Sequence, residues 1–401
     1  MSKKQVEILL IYLLALGINQ VCYAENDHYT NEFLEVKKAF SDIEAAALGD
    51  AFKGIRTSEG KQNGLFLIQS TDVSTAPILK AAKNYLSLLS TPELIRTQYA
   101  VDDPEWRRWF NVDNGIYVRQ GLSLKEMNSA QRAAALNILK TSLSAKGLNL
   151  SRSIMKTDRT LSELNGHGFL DEELYFLTIM GNPDGNEPWG WQFDGHHLVI
   201  NYFIMGDQVV MTPTFLGAEP AVTTAGKYSG NKVLQTEQDM GLAFMQSLTP
   251  SQKQAATLKR RKVEDNMLSA AHKDNLVLDY AGLRASQLSE SHRKMLLELV
   301  DQYVSNMKEG HAKIRMEDVR NHLDNTWFAW IGDVKDSSVF YYRIHSPVIL
   351  IEFDHQIPVG TEMLHEKGVP TRDHIHVVIR TPNGNDYGKD LLSQHLTKHK
   401  H

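Results

Sequence analysis

Apolar positions along the chain fall into two regimes. Up to about residue 165 they recur at helical spacing. Phe33, Val36, Phe40, Ile43 and Ala47 mark one face of a helix within 30–55. Ile78 to Leu89 predicts a second helix, stopped before Thr91-Pro92, and Pro92 opens a third as a first-turn proline. Between them, Leu65 to Ile68 follows Gly64 as a short apolar run that reads as a strand.

Three helix starts share one pattern: Met127 to Arg132, Leu248 to Lys253 and Leu288 to Arg293. Each has an apolar residue, then a capping Asn, Thr or Ser, then a polar residue three places on, a staple with a capping-box arrangement. Their uneven spacing argues against a solenoid, so they are read as three separate, well-formed helix starts.

After residue 170 the pattern becomes strand-like. Leu174 to Met180, His197 to Ile204, Val209 to Thr214, Trp327 to Ile331, Val339 to Ile344, Val348 to Phe353 and His374 to Arg380 are rich in β-branched and aromatic residues. Gly206-Asp207 joins two of them as a hairpin turn. A helical stretch, 237–306, lies between the two strand groups. Strands paired by hairpins, with helices set apart, predict an α+β fold: a helical N-terminal part packed with a mostly antiparallel sheet in the C-terminal half. Residues 25–401 read as one domain, helical over about 25–165 and mixed over about 166–395.

The N-terminus changes the setting. Lys3 and Lys4, the apolar run Ile8 to Ile18, and Cys22-Tyr23-Ala24 form the three parts of a secretory signal peptide over residues 1–24. The run is too short for a membrane anchor. Lipidation at Cys22 is the rival reading, and Val21 before it is a poor fit. The expectation is a periplasmic or secreted protein with no membrane span after cleavage. Cys22 is the only cysteine, so the mature chain has no disulfide, thiolate nucleophile or cysteine-ligated metal. The whole chain carries a net charge of −5, and no basic run is interleaved with aromatics, which leaves nucleic-acid binding without an electrostatic footprint.

What chemistry remains is histidine, carboxylate and arginine chemistry in three segments. Gly181 to His197 holds Trp189, Trp191 and the adjacent His196 and His197, which would point to opposite faces of a strand. Phe340 to Pro347, with Ile351 to His355, puts Tyr341, Arg343 and His345 on one strand face, with Glu352 and Asp354 on the next strand. Asp373 to Arg380 contains His374-Ile375-His376, a strand pair whose imidazoles share a face and can meet one ion, with Arg380 further along that face. His374 and His376 are the core of the candidate metal site. His196, His197, His345 and Glu352 are the candidates to complete it, and zinc, manganese or iron would suit such ligands. His365-Glu366 does not begin a zincin motif, because Val369 stands where its second histidine belongs.

At these segments the chain resembles an exported bacterial family known as domain of unknown function 3500. The resemblance is carried by Gly181-Asn182-Pro183, Pro188-Trp189-Gly190-Trp191, Gly195-His196-His197-Leu198, Thr212 to Ala218, Tyr341 to Ile344, Ile351 to Asp354, His374-Ile375-His376 and Asp386 to Leu392. It implies that the three segments form one unit, and it brings no activity with it.

Three functions fit these residues. The first is an exported metal-dependent hydrolase acting on a small molecule, with Glu352 or Asp354 as base and Arg343 or Arg380 binding a substrate oxygen. The second is a metal-free hydrolase or lyase using a histidine base. The third is a metal-free ligand- or carbohydrate-binding protein in which Trp189, Trp191, Tyr341 and Tyr342 stack on the ligand.

Overall fold

A computed structural model describes residues 31–398 apart from 186. The expected signal peptide and its cleavage point lie outside the described residues. Among them are ten α-helices: α1 (Asn31–Leu48), α2 (Ala76–Ser87), α3 (Thr91–Thr97), α4 (Ser129–Ser142), α5 (Ala145–Asn165), α6 (Gln235–Ser247), α7 (Pro250–Ala256), α8 (Glu290–Val304), α9 (Glu309–Asn321) and α10 (Lys389–Lys398). The strands are β1 (Gln98–Tyr99), β2 (Leu122–Ser123), β3 (Phe176–Met180), β4 (Trp189–Gly195), β5 (Leu198–Met205), β6 (Gln208–Val210), β7 (Thr214–Ala218), β8 (Thr257–Lys259), β9 (Leu283–Arg284), β10 (Trp327–Gly332), β11 (Phe340–His345), β12 (Leu350–His355) and β13 (Ile375–Arg380). The fold is α+β with a mostly antiparallel sheet, its long strands all after residue 175.

The strands form one sheet in the order β1-β3-β4-β5-β7-β13-β12-β11-β10-β8. That order is the same from either end. β1 joins β3 in parallel, as β8 joins β10, and β2 and β9 pair antiparallel with β3 and β10. The register repeats too: Phe176 faces Asp194 as Trp327 faces His345, and Gly190 faces Phe203 as Tyr341 faces Asp354. Core contacts follow the register. Trp191 stacks on Tyr202 at 5.0 Å and 8°, and Tyr342 on Phe353 at 5.0 Å and 3°. The chain thus folds as two copies of one unit, back to back across the β7–β13 pair.

This repeat revises the reading of the helix starts. Asn128 and Ser289 cap α4 and α8, which are equivalent helices. Thr249 caps α7, whose counterpart is α3, started by Ser90 with Glu93 accepting its N–H at 2.7 Å. Uneven spacing hid the repeat because the two pairs stand at different places in the unit.

Both faces of the sheet are covered. On one face, Ile179, Trp191, Phe193, Ile200, Tyr342, Phe353, Ile375 and Val377 meet the helices in the larger core. On the other, Val199, Phe203, Phe215 and Val378 meet irregular chain that contributes Phe66, Trp106, Trp109, Ala271 and Tyr387. Leu65 to Ile68, expected as a strand, belongs to this irregular layer: Phe66 is buried while Leu67 points out at 61% exposure, and no neighbouring strand pairs with it. Val209 to Thr214 also differs. Pro213, which has no N–H to donate, falls within it, and β6 ends at Val210 while β7 begins at Thr214.

Equivalent glycines open β2 and β9. Gly121 and Gly282 take left-handed backbone (φ +85° and +96°), and a Cβ there would stand 2.3 Å from the Leu177 carbonyl oxygen or 2.2 Å from that of Phe328. Gly121→Ala and Gly282→Ala should each cost roughly 2 kcal/mol or more, from left-handed strain plus the clash. Gly206→Ala, also left-handed but with nothing within 4 Å, should cost only about 1 kcal/mol. Urea midpoints at unchanged slope measure all three; equal costs would contradict the close approach.

A buried three-histidine site

Three histidines meet where the two units join. His197 comes from the first unit. With His196 it forms the turn between β4 and β5, so the pair is not on a strand and the rings stack 3.9 Å apart instead of facing opposite ways. His197 takes left-handed backbone (φ +59°), a conformation that costs a non-glycine residue roughly 1 kcal/mol. The turn holds it there: its N–H donates to the Asn111 carbonyl at 3.2 Å, and its carbonyl accepts the Gly217 N–H at 2.7 Å. The ring lies against Gly217, where a Cβ would come within 3.0 Å of His197 Cδ2.

His374 and His376 come from the second unit, at the entrance to β13. His376 faces Gly217 across the seam, so the absent side chain of Gly217 makes room for His197 beside it. The His374 and His376 Nε2 atoms are 2.9 Å apart, and His376 Nε2 lies 3.1 Å from His197 Nε2. The ring planes cross steeply, at 88° for His374 with His376 and about 61–62° for His197 with either. Ligands held 2.0–2.1 Å from an ion stand about 2.9 Å apart at a right angle and about 3.4 Å apart at a tetrahedral one, which brackets the spacing found here.

His374 Nδ1–H donates to the Ile357 carbonyl at 2.8 Å, so the nitrogen it turns toward His376 is Nε2. His376 Nε2 has two nitrogen neighbours and can carry at most one proton, so it cannot donate to both. Burial, then the neighbouring imidazoles, pushes His197 and His376 well below the ordinary histidine range, so both rings are neutral. Neutral imidazoles with converging lone pairs are the form a metal ion takes. Among the described residues, this is the group of histidines and carboxylates whose ligand atoms lie close enough for one ion.

A second set of groups orients the first. Glu219 Oε2 is 3.5 Å from His374 Nδ1, and Oε1 accepts the amides of Val359, Gly360 and Thr361 at 2.8–2.9 Å and the Thr361 hydroxyl at 2.8 Å. Asp158 of α5 binds His196 Nδ1 at 2.5 Å and accepts the Tyr175 hydroxyl at 2.7 Å, which fixes the ring stacked on His197. Lys262 Nζ pairs with Asp354 at 3.0 Å, with both side chains fully buried. Asp354 faces His376 in the β12–β13 register. His197 and His374 are 2% and 3% exposed, while His376 is only half-buried. Approach to the site is therefore past His376.

The other candidate residues stand elsewhere. His345 is at the far end of β11, against the Tyr280 ring at 4.6 Å, opposite Leu350 and Arg380 rather than His376. Glu352 has both oxygens occupied: Oε1 by the Tyr341 hydroxyl (2.6 Å) and the Leu268 amide (3.1 Å), Oε2 by the Ser269 amide (2.8 Å) and hydroxyl. Arg380 binds the Ser269 and Ala271 carbonyls, Asp274 at 2.6 Å and Asp386 at 3.2 Å. These two residues tie irregular chain to the sheet. Arg343 is buried opposite Glu352, two strands from His376. Trp189, Trp191 and Tyr341 are at most 2% exposed, so none offers a ring face to a ligand.

Sequence reading missed Glu219, Asp158, Gly217 and Lys262. Asp158 did leave a signal: it is an acid on the apolar stripe of Ile154, Met155 and Leu161, all buried in α5. Nothing local marks Glu219 or Gly217, whose roles come from strand pairing and from a loop 140 residues away in sequence.

No helix among the described residues is long and apolar enough to cross a membrane. No curated protein and no solved structure matches the chain. One family model matches residues 71–389, a span that takes in all three histidines with Glu219 and Asp158, and its description is protein of unknown function (DUF3500). The chain belongs to the DUF3500 family.

Proposed function

We propose that this protein is a metal-dependent hydrolase, exported through residues 1–24, whose ion is held by Nε2 of His197, His374 and His376. The observation that carries the reading is the convergence of three imidazole nitrogens, two contacts of 2.9 and 3.1 Å sharing one central atom. Three histidines without a carboxylate suit zinc better than manganese. A zinc ion in such a site supplies a bound water of pKa near 7.

The protein's own groups do the rest. His374, oriented by Ile357 and Glu219, and His197, held by its strained turn, fix two ligand directions from two different units. His376 is the half-buried one of the three, so water and a small substrate would reach the ion past it. Glu352 is spent on Tyr341, Leu268 and Ser269 and is not a free base. The Lys262–Asp354 pair faces His376 across the β12–β13 pairing.

Two measurements test the reading. Protein incubated with zinc and dialysed should retain close to one equivalent by elemental analysis. His374→Ala and His376→Ala should retain less than a tenth, and His345→Ala should match the wild type. Less than a tenth of an equivalent in the wild type would end the metal hypothesis, and ester hydrolysis that survives chelation would favour metal-free catalysis. Glu219→Gln should weaken zinc affinity about 10- to 100-fold, as loss of an orienting carboxylate does elsewhere. Competition against a chromophoric chelator measures this, and unchanged affinity would remove Glu219 from the site.

A further inference from the structure

The repeat gives the histidine site a twin. The site lies at the Gly217–His376 end of the β7–β13 seam, beside the β4–β5 turn and α5. The opposite end of the seam lies beside the β11–β12 turn and α9, the equivalent elements. There the structure has a cavity of about 250 Å³. In the first unit Asp158 reaches from α5 to His196 in the turn. In the second, Arg315 reaches from α9 to the turn, where Nη2 donates to the Val348 carbonyl at 2.6 Å and to the Thr381 hydroxyl at 3.0 Å. By the repeated register Val348 is the counterpart of His197.

We propose that this cavity is a second ligand site, distinct from the metal site, which binds a small monocarboxylate with an apolar tail. Arg315 supplies the charge. Its side chain is 14% exposed and lines the cavity, and its Nε and Nη1 make no hydrogen bond among the described residues. A half-buried guanidinium with two nitrogens free of hydrogen bonds is matched by a carboxylate. Asp318 stands 3.9 Å from Nη1, beyond hydrogen-bond distance, with its side chain 44% exposed. A second acid that close disfavours a dianion, which selects a single negative charge. One part of the wall is apolar, formed by Val304, Met307, Ile349 and Ile379, while His311, Asn321 and His322 belong to its polar part. The volume is below that of common drug-sized sites, which suits a short chain.

The test is calorimetric titration of the full-length protein with hexanoate and with hexanol, each with zinc-loaded and chelator-treated protein. Hexanoate should bind one site saturably, at least tenfold more tightly than hexanol, with the same Kd in both preparations. Arg315→Gln should weaken hexanoate at least tenfold and leave zinc stoichiometry unchanged. Equal binding of the acid and the alcohol would overturn the proposal without any variant, so a poorly folding Arg315→Gln does not shield it. So would hexanoate binding that disappears on chelation or in His374→Ala, which would place the acid on the metal. Absence of zinc binding would end the hydrolase reading and leave this one standing or falling on the hexanoate arms alone.

Discussion

The antiparallel pairing of Thr214–Ala218 with Ile375–Arg380 is the contact on which the rest depends. It joins two repeated units into one sheet. It also sets the register that puts His376 opposite Gly217, the residue against which the His197 ring lies. A one-residue slip would turn His376 to the helix-packed face and replace the glycine opposite it with Leu216 or Ala218. The slip is opposed from both sides, because Leu216, Ala218, Ile375 and Val377 are all buried among the helices. The helix-facing core therefore enforces the geometry of a site on the other face.

That other face explains where the remaining polar candidates went. A sheet with one open face would leave Glu352, Asp354 and Arg380 in water. Here irregular chain crosses it, and its backbone groups need partners. Asp354 accepts the amides of Asn266 and Met267, Glu352 those of Leu268 and Ser269, and Arg380 donates to the Ser269 and Ala271 carbonyls. A run of amides and carbonyls over 266–271 is thus satisfied by three strand side chains. These charges replace the ladder that the segment does not form.

How much of this the sequence showed depends on the range of the interaction. Strand alternation at 374–380 placed both histidines on one face, because a period of two is a local property of the backbone. The α+β class and the hairpin at Gly206-Asp207 were legible for the same reason. His196 and His197 were legible as histidines but not as a turn, since no glycine or asparagine occupies the left-handed position that His197 takes. Glu352 and Arg380 carried no mark of their structural role, because chain more than 80 residues away occupies them. The repeat was hidden because packing conserves register and ring contacts while the side chains differ: Trp191 on Tyr202 in one unit is Tyr342 on Phe353 in the other.

The two units also show what a three-histidine site requires beyond the histidines. In the first unit β5 returns to β6 through the two-residue turn Gly206-Asp207. In the second, the chain after β12 makes a long excursion over 356–372 before β13. That excursion supplies the Ile357 carbonyl that fixes the His374 tautomer and the amides of 359–361 that hold Glu219 behind it. The short turn has no chain with which to do either. The approach to β7, Val209 to Met211, accordingly carries apolar residues where the approach to β13 carries ligands. One backbone plan thus yields an ion-binding end and an apolar, arginine-tipped end, and loop length decides which.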